Sequence, residues 1–212
     1  MKRYKFKNLN IVYTEKEDGN MKDKKIRENF LKKIGLKYIY IPKQEHTNIV
    51  APFVNMSAPA DGLYTDLKKV PIGVLTADCM AIVITDFKSL VVLHAGWRGL
   101  FSGIIENGLK YFKDKSSLFA YISPSIRDCC FEVGQDFIER LEEYSIDKKF
   151  LIEKNGKYYF SLQDLALEKL KRNGVSEVVD ENICSKCGNN GNIFSYRNGD
   201  IDERILTLAY LE

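Results

Sequence analysis

Between residues 72 and 95 the chain runs through IGVLTA, MAIVIT and LVVLHA, three short segments that are apolar almost throughout. A strand with one wet face alternates apolar and polar residues, so unbroken runs of this kind demand cover on both faces. Their β-branched content and their Pro, Gly, Asp and Lys-Ser boundaries mark them as strands rather than helices. Similar runs occur at NIVYT (10–14), KYIYI (37–41) and NIVAPF (48–53). Directly after the third apolar run, Leu100, Ile104, Ile105, Leu109 and Phe112 repeat near period 3.6, which predicts a helix over 97–113. A second helix is expected over 133–144, with Phe137, Ile138 and Leu141 inward. A third is expected over 161–174, where Ser161 and Asp164 have capping-box spacing and Gly174 stops the helix. LFAYIS, FLIEK, KYYF, SEVVD and a closing RILTLAY (204–210) supply further strands.

Strands clustered early and then mixed with helices imply an α/β fold of the α+β kind. We expect a single domain spanning 1–212, with layered mixed β-sheets flanked by helices. A chain of 212 residues buries about 70% of its unfolded surface, enough for a core without staples. There is no internal repeat.

Several function classes drop out early. A net charge of +3 is too mild to argue for nucleic acid. The basic stretch MKDKKIRENFLKK (21–33) reads as the solvated face of a helix, because Ile26, Phe30, Leu31 and Ile34 recur at helical spacing. The start MKRYKFKNLN has charges but no apolar core, so it is not a signal peptide, and no apolar run approaches the ~18 residues that span a bilayer. Five cysteines, two of them adjacent, make a poor disulfide framework, which points to a reducing cytoplasm and no membrane.

The chain has only two histidines, His46 and His94, and Cys79 lies fifteen positions before the second. Two imidazoles and a thiolate would give zinc three protein ligands and an open position, with formal charge +1. Asp78, beside Cys79, could orient such a ligand. No compact spacing links the trio, so other readings of the residues stand. Each histidine could simply be hydrogen-bonded in place, with Cys79 a small buried hydrophobe. Cys79 and His94 could be nucleophile and base of a metal-free amidase or deamidase. A blue-copper centre would consume both histidines and leave none for the cluster that a multicopper oxidase needs to reduce oxygen, so copper is disfavoured.

After His94, AGWRGLF turns into the expected helix, whose free N–H groups with Arg98 could seat phosphate; the alternative is a tight turn with Arg98 solvated. Cys184 and Cys187 in ICSKCG could be half of a zinc ribbon or a redox pair. Adjacent Cys129 and Cys130 have poor spacing for the second half, which favours structural or incidental thiols. Near the end, Ser195, Tyr196, Arg197 and Arg204 cluster around a Gly turn and could clamp phosphate or ribose.

Taken in order, QEHTNIV, ADGLYTD, LTADCMAIVITD, HAGWRGL, SPSIRDCCFEVG, ICSKCG and FSYR resemble the laccase-domain family of YfiH type over nearly the full chain. Members once labelled multicopper polyphenol oxidases are now regarded as zinc-dependent purine nucleoside phosphorylases. The resemblance implies a fold like that of the cytotoxic necrotizing factor, related to bacterial toxin cysteine deamidases. It also implies zinc on His46, Cys79 and His94, these three with Arg98 being the catalytic set. Lys16, Gln44, Asp78, Arg98 and Arg197 are its expected substrate and phosphate contacts. The implied activities are phosphorolysis of adenosine, inosine, guanosine and methylthioadenosine, and adenosine deamination; editing of peptidoglycan precursors is attached to some bacterial members. The expected partners are a purine nucleoside and phosphate, in a monomer or small homo-oligomer. Two segments depart from the pattern: TEKEDGN puts Lys16 at the position of an Arg, and SYRNGDIDER keeps Arg197 and Arg204 in an altered frame. Lysine holds phosphate as a point charge but lacks the bidentate fork of arginine.

Overall fold

The computed structural model describes residues 1–55, 57–115 and 117–212. The chain opens with strands β1 (Lys2–Phe6) and β2 (Leu9–Tyr13), then helix α1 (Lys24–Lys33). Five strands follow: β3 (Val50–Pro52), β4 (Gly62–Thr65), β5 (Ile72–Thr76), β6 (Met80–Thr85) and β7 (Leu90–Ala95). Short helices α2 (Trp97–Phe101) and α3 (Ile104–Leu109) lead to β8 (Leu118–Ile122), β9 (Glu132–Val133) and α4 (Gln135–Glu143). The last elements are β10 (Leu151–Lys154), β11 (Lys157–Phe160), α5 (Leu162–Arg172), β12 (Val175–Asp180) and β13 (Ile205–Leu211).

The apolar runs behave as their composition demands. Strands β6 and β7 lie at the centre of a six-stranded mixed sheet ordered β12-β8-β6-β7-β4-β3, and β5 joins a four-stranded sheet ordered β1-β2-β13-β5. Met80, Ile82 and Ile84 point to one side and pack with Leu100, Ile104, Ile105 and Leu165 from α2, α3 and α5. Ala81 and Val83 point to the other side, where they meet Ile72, Val74 and Ala209 of the four-stranded sheet. Every residue of β6 and β7 is buried. Phe30, Leu31 and Ile34 of the basic N-terminal segment cover the far face of the four-stranded sheet, against Leu206 and Leu208, while its lysines face solvent. Helix, sheet, sheet and helix therefore stack in succession, each apolar face buried at about 25 cal/mol per Å². A small sheet ordered β10-β11-β9 flanks the helical side.

Three expectations are corrected. The helix expected over 97–113 breaks in two, because Gly103 adopts φ 96° and the Ser102 hydroxyl donates back to the Arg98 carbonyl at 2.7 Å. The run KYIYI is not a strand: Tyr40 alone bridges Ile72, on the open edge of β5. Only Val50–Pro52 of NIVAPF is extended. Strands β1 and β4 were not anticipated. In β1 the apolar Tyr4 and Phe6 alternate with charges, the pattern of an edge strand with one face packed. The helix expected over 161–174 forms as α5, with the Ser161 hydroxyl accepting from the Asp164 backbone N–H at 3.2 Å.

Candidate active site

Strand pairing brings the two central ligand candidates to one end of the six-stranded sheet. His94 is the penultimate residue of β7 and lies opposite Ala81, while Cys79 sits in the turn that enters β6. That turn is tight: Asp78 adopts φ 80°, and its carboxylate accepts from the Ser185 hydroxyl at 2.6 Å and the Arg197 backbone N–H at 2.8 Å. His46 reaches the same point from the loop before β3, itself at φ 59°. Its Nε2 lies 4.0 Å from Cys79 Sγ, and the two imidazole rings are 4.8 Å apart at 72°.

One donor atom from each of His46, Cys79 and His94 falls within 4.8 Å of the others. Zinc bonds of about 2.0–2.3 Å place neighbouring tetrahedral donors about 3.3–3.5 Å apart, so the trio fits such an ion with a slight contraction. Gly96 makes room for it, since a Cβ there would lie 2.8 Å from Cys79 Sγ and 3.3 Å from His46 Cδ2.

Asp61 organises the centre and was not singled out from sequence. It is fully buried at the end of the loop before β4. One carboxylate oxygen meets His94 Nδ1 at 2.7 Å and the His46 backbone N–H at 3.1 Å. The other accepts from Thr47 through its N–H at 2.6 Å and its hydroxyl at 2.8 Å, and from the Glu45 N–H at 3.1 Å. One side chain thereby shapes the His46 loop and turns His94 Nε2 towards Cys79. Burial would raise the Asp61 carboxyl, but the His94 and Thr47 donors outweigh it and hold it at about 2. Burial likewise pushes the Cys79 thiol up, yet the charge of His94 and hydrogen bonds from His46 and His94 bring it down to about 6. For His94 burial acts downwards, and the Cys79 thiolate and Asp61 lift it to about 9. Without a metal, both shifts favour a thiolate beside an imidazolium.

Above the trio opens a cleft of about 640 Å³, within the range of small-molecule sites. Trp97, Phe131 and Tyr196 supply aromatic walls; Lys22, Arg98, Arg197 and Arg204 supply positive charge. Among the expected contacts, Gln44, Asp78, Arg98 and Arg197 line this cleft with the trio. Three of them already have other partners, Arg197 donating from its guanidinium to the Glu132 carbonyl at 3.0 Å. The Gln44 amide brackets the Leu75 backbone with two 2.8 Å hydrogen bonds, and the Asp78 carboxylate is taken up as above. Arg98 lies 4.5 Å from the Trp97 ring. Lys16 does not line the cleft, its ammonium pairing with Asp200 at 2.8 Å; Lys22 does line it, with its ammonium 3.1 Å from Asp202. Phe131 and Lys22 carried no signal in sequence beyond apolar and basic character.

A family model described as "Multi-copper polyphenol oxidoreductase laccase" matches residues 1–211. The chain is 37% identical over 183 residues to a purine nucleoside phosphorylase of Aquifex aeolicus, covering 84% of this chain and 85% of that protein. It is 30% identical over 161 residues to the adenosine deaminase RL5 of an unknown prokaryotic organism, covering 71% and 62% respectively. A crystal structure of a Neisseria meningitidis protein superposes with a TM-score of 0.88 at 25% identity, covering all of this chain and 98% of that one.

Proposed function

The chain belongs to the multi-copper polyphenol oxidoreductase laccase family, and on that footing we propose that it is a zinc-dependent purine nucleoside phosphorylase with a second, adenosine-deaminating activity. The observation that carries this reading is a zinc-suited trio, His46, Cys79 and His94, at the foot of a cleft with aromatic walls and four cationic side chains. Relatives named purine nucleoside phosphorylase and adenosine deaminase support it. Copper oxidation does not fit, because the two histidines of the chain are both used in the trio and none is left for a further copper cluster.

A bound zinc ion would supply a Lewis acid and a water of lowered pKa. The protein's own part is positional. Asp61 accepts a hydrogen bond from His94 Nδ1–H, which leaves Nε2 free to ligate. Trp97, Phe131 and Tyr196 offer faces for the purine, and Arg98 is the cation for phosphate. Phosphate oxygen attacks the anomeric carbon as the C–N bond to the base breaks, and the anion stabilises the developing positive charge on the ribose ring. The products are free base and ribose 1-phosphate.

Incubating adenosine and inosine with and without phosphate tests this directly. Phosphate-dependent release of base with ribose 1-phosphate is expected; its absence overturns the reading. One observation favours a second reading, a metal-free cysteine amidase: Cys79, His94 and Asp61 line up as nucleophile, base and orienting carboxylate. Full amidase activity in zinc-stripped protein, abolished by alkylating Cys79, would select it.

A further inference from the structure

Away from the cleft, Cys129, Cys130, Cys184 and Cys187 converge, with all four sulfurs within 4.8 Å of one another. We propose that these four cysteines form a second, tetrathiolate zinc site that is structural and distinct from the His46–Cys79–His94 centre.

Sequence spacing argued against pairing these cysteines, and topology explains why they meet. Strands β8 and β12 run parallel as neighbours, so the chain leaves both at the same end of the sheet. The two exits are then tied together. Ser125 bridges Cys184, the Ser185 N–H reaches the Ser125 carbonyl at 3.0 Å, and Arg127 holds Asp180 with two bonds at 3.1 and 2.9 Å. The first exit turns at Arg127, whose carbonyl accepts from the N–H groups of both Cys130 and Phe131 at 2.8 Å. This turn lets adjacent cysteines face one point. The second exit is a closed knuckle, C-S-K-C-G, in which the Gly188 N–H meets the Cys184 carbonyl at 2.8 Å. A Cβ at Gly188 would lie 2.7 Å from that carbonyl oxygen, so the turn needs glycine. Backbone groups of Cys187, Arg127 and Lys186 near the Cys184 sulfur act against the effect of burial and lower its thiol pKa, an environment that suits a ligating thiolate.

The dimensions match zinc. Four sulfurs at about 2.3 Å from one ion in a tetrahedron stand about 3.8 Å apart; Cys129 and Cys187 are 3.6 Å apart. A disulfide requires about 2.05 Å and would leave two thiols stranded. Binding replaces four thiol protons by one Zn²⁺, releases those protons, and leaves a net charge of −2. Lys186, Arg197 and one carboxylate, Glu132, border the cavity beside Cys129 and Cys130, so the two cations there outnumber the anion. Four thiolates leave no open position, so the site does no chemistry of its own. Its effect reaches the cleft through two contacts: Ser185 of the knuckle holds Asp78, and Arg197 donates to the Glu132 carbonyl at 3.0 Å just beyond the cysteine turn.

The test counts metal in a full-length Cys79→Ala variant, which breaks the first trio, after loading with zinc under reducing conditions and desalting. One zinc per chain is expected to remain, and none in Cys79→Ala/Cys187→Ser. Cobalt in place of zinc should give the tetrahedral visible bands and strong near-ultraviolet thiolate charge transfer in the first variant only. Where the double variant does not fold, wild-type protein gives the same answer: a chelator should release zinc as these four thiols become open to alkylation, mapped by mass spectrometry. A Cys79→Ala protein with no retained metal and four freely reactive thiols overturns the proposal. So does an intact mass short by two hydrogens for each bond, the mark of disulfides.

Discussion

Asp61 is the side chain on which the centre depends most. It accepts from His94, His46, Thr47 and Glu45 while fully buried, so no water can substitute for a missing acceptor. Asp61→Asn keeps the shape but removes the charge and one acceptor. Zinc affinity should fall about 10–100-fold, read by chelator competition, and stability should fall by about 1–3 kcal/mol in urea titration. A variant that binds zinc as tightly as the parent would show that Asp61 only supports the loop. The titration of the trio gives a second prediction. The folded Cys79 thiol is lowered to about 6, so its contribution is present above the ordinary thiol range and lost as pH falls through about 6. His94 is raised to about 9, so its contribution is present at low pH and lost as pH rises through about 9. In zinc-stripped protein the ion pair therefore persists between about pH 6 and pH 9. Ultraviolet thiolate absorbance, measured against Cys79→Ala, should report ionisation near pH 6; ionisation only in the ordinary range above pH 8 would refute the pairing.

At the scale of elements, the junction between β7 and α2 controls the geometry. Gly96 has φ −76°, which any residue tolerates, so its need for glycine comes from space alone. Gly96→Ala places a methyl group 2.8 Å from Cys79 Sγ and 3.3 Å from His46 Cδ2 and pushes these two side chains apart. We expect at least about tenfold weaker zinc binding at this site with a stability cost of about 1–3 kcal/mol. Equilibrium dialysis and urea unfolding separate the two; undiminished affinity would mean that the sulfur has room to move. This region also shows how far sequence reasoning reaches. The strands β5, β6 and β7 were legible because unbroken apolar runs have few alternatives, and α5 because its cap and its stop lie within fourteen residues. His46, Cys79 and His94 could be picked out as a candidate set because the chain has only two histidines, and the fold brings those three side chains together. Asp61 was not: a lone aspartate before a glycine reads as a turn, and only the pairing of β4 with β7 sets it beside His94. The break at Gly103 was masked by an apolar stripe that continues through it. The four remaining cysteines were opaque for the same reason as Asp61, since parallel pairing of β8 and β12 joins segments more than fifty residues apart.

Across the whole molecule, β6 and β7 bind the layers into one unit. Neighbouring residues of β6 face opposite cores: Ile82 packs among the helices and Val83 against the four-stranded sheet. Neither core can be lost without stripping one face of the same sheet and exposing its fully buried residues to water, so the two should melt together. Ile105→Ala opens a cavity on the helical side, and Ile72→Ala opens one on the other. Each should cost about 2–5 kcal/mol. Because the two sites lie in separate clusters with the sheet between them, the costs should add to within about 0.5 kcal/mol in the double variant. Urea unfolding followed by tryptophan fluorescence, from the single Trp97 on the helical side, and by far-ultraviolet circular dichroism should give coincident transitions for all three variants. Were the layers independent, Ile72→Ala would leave the fluorescence transition in place and move only the dichroism. A coincident shift of both signals means that damage distant from the cleft lowers the population of intact centres without touching a ligand, so a fall in activity counts against a residue's chemistry only after the folded fraction has been measured.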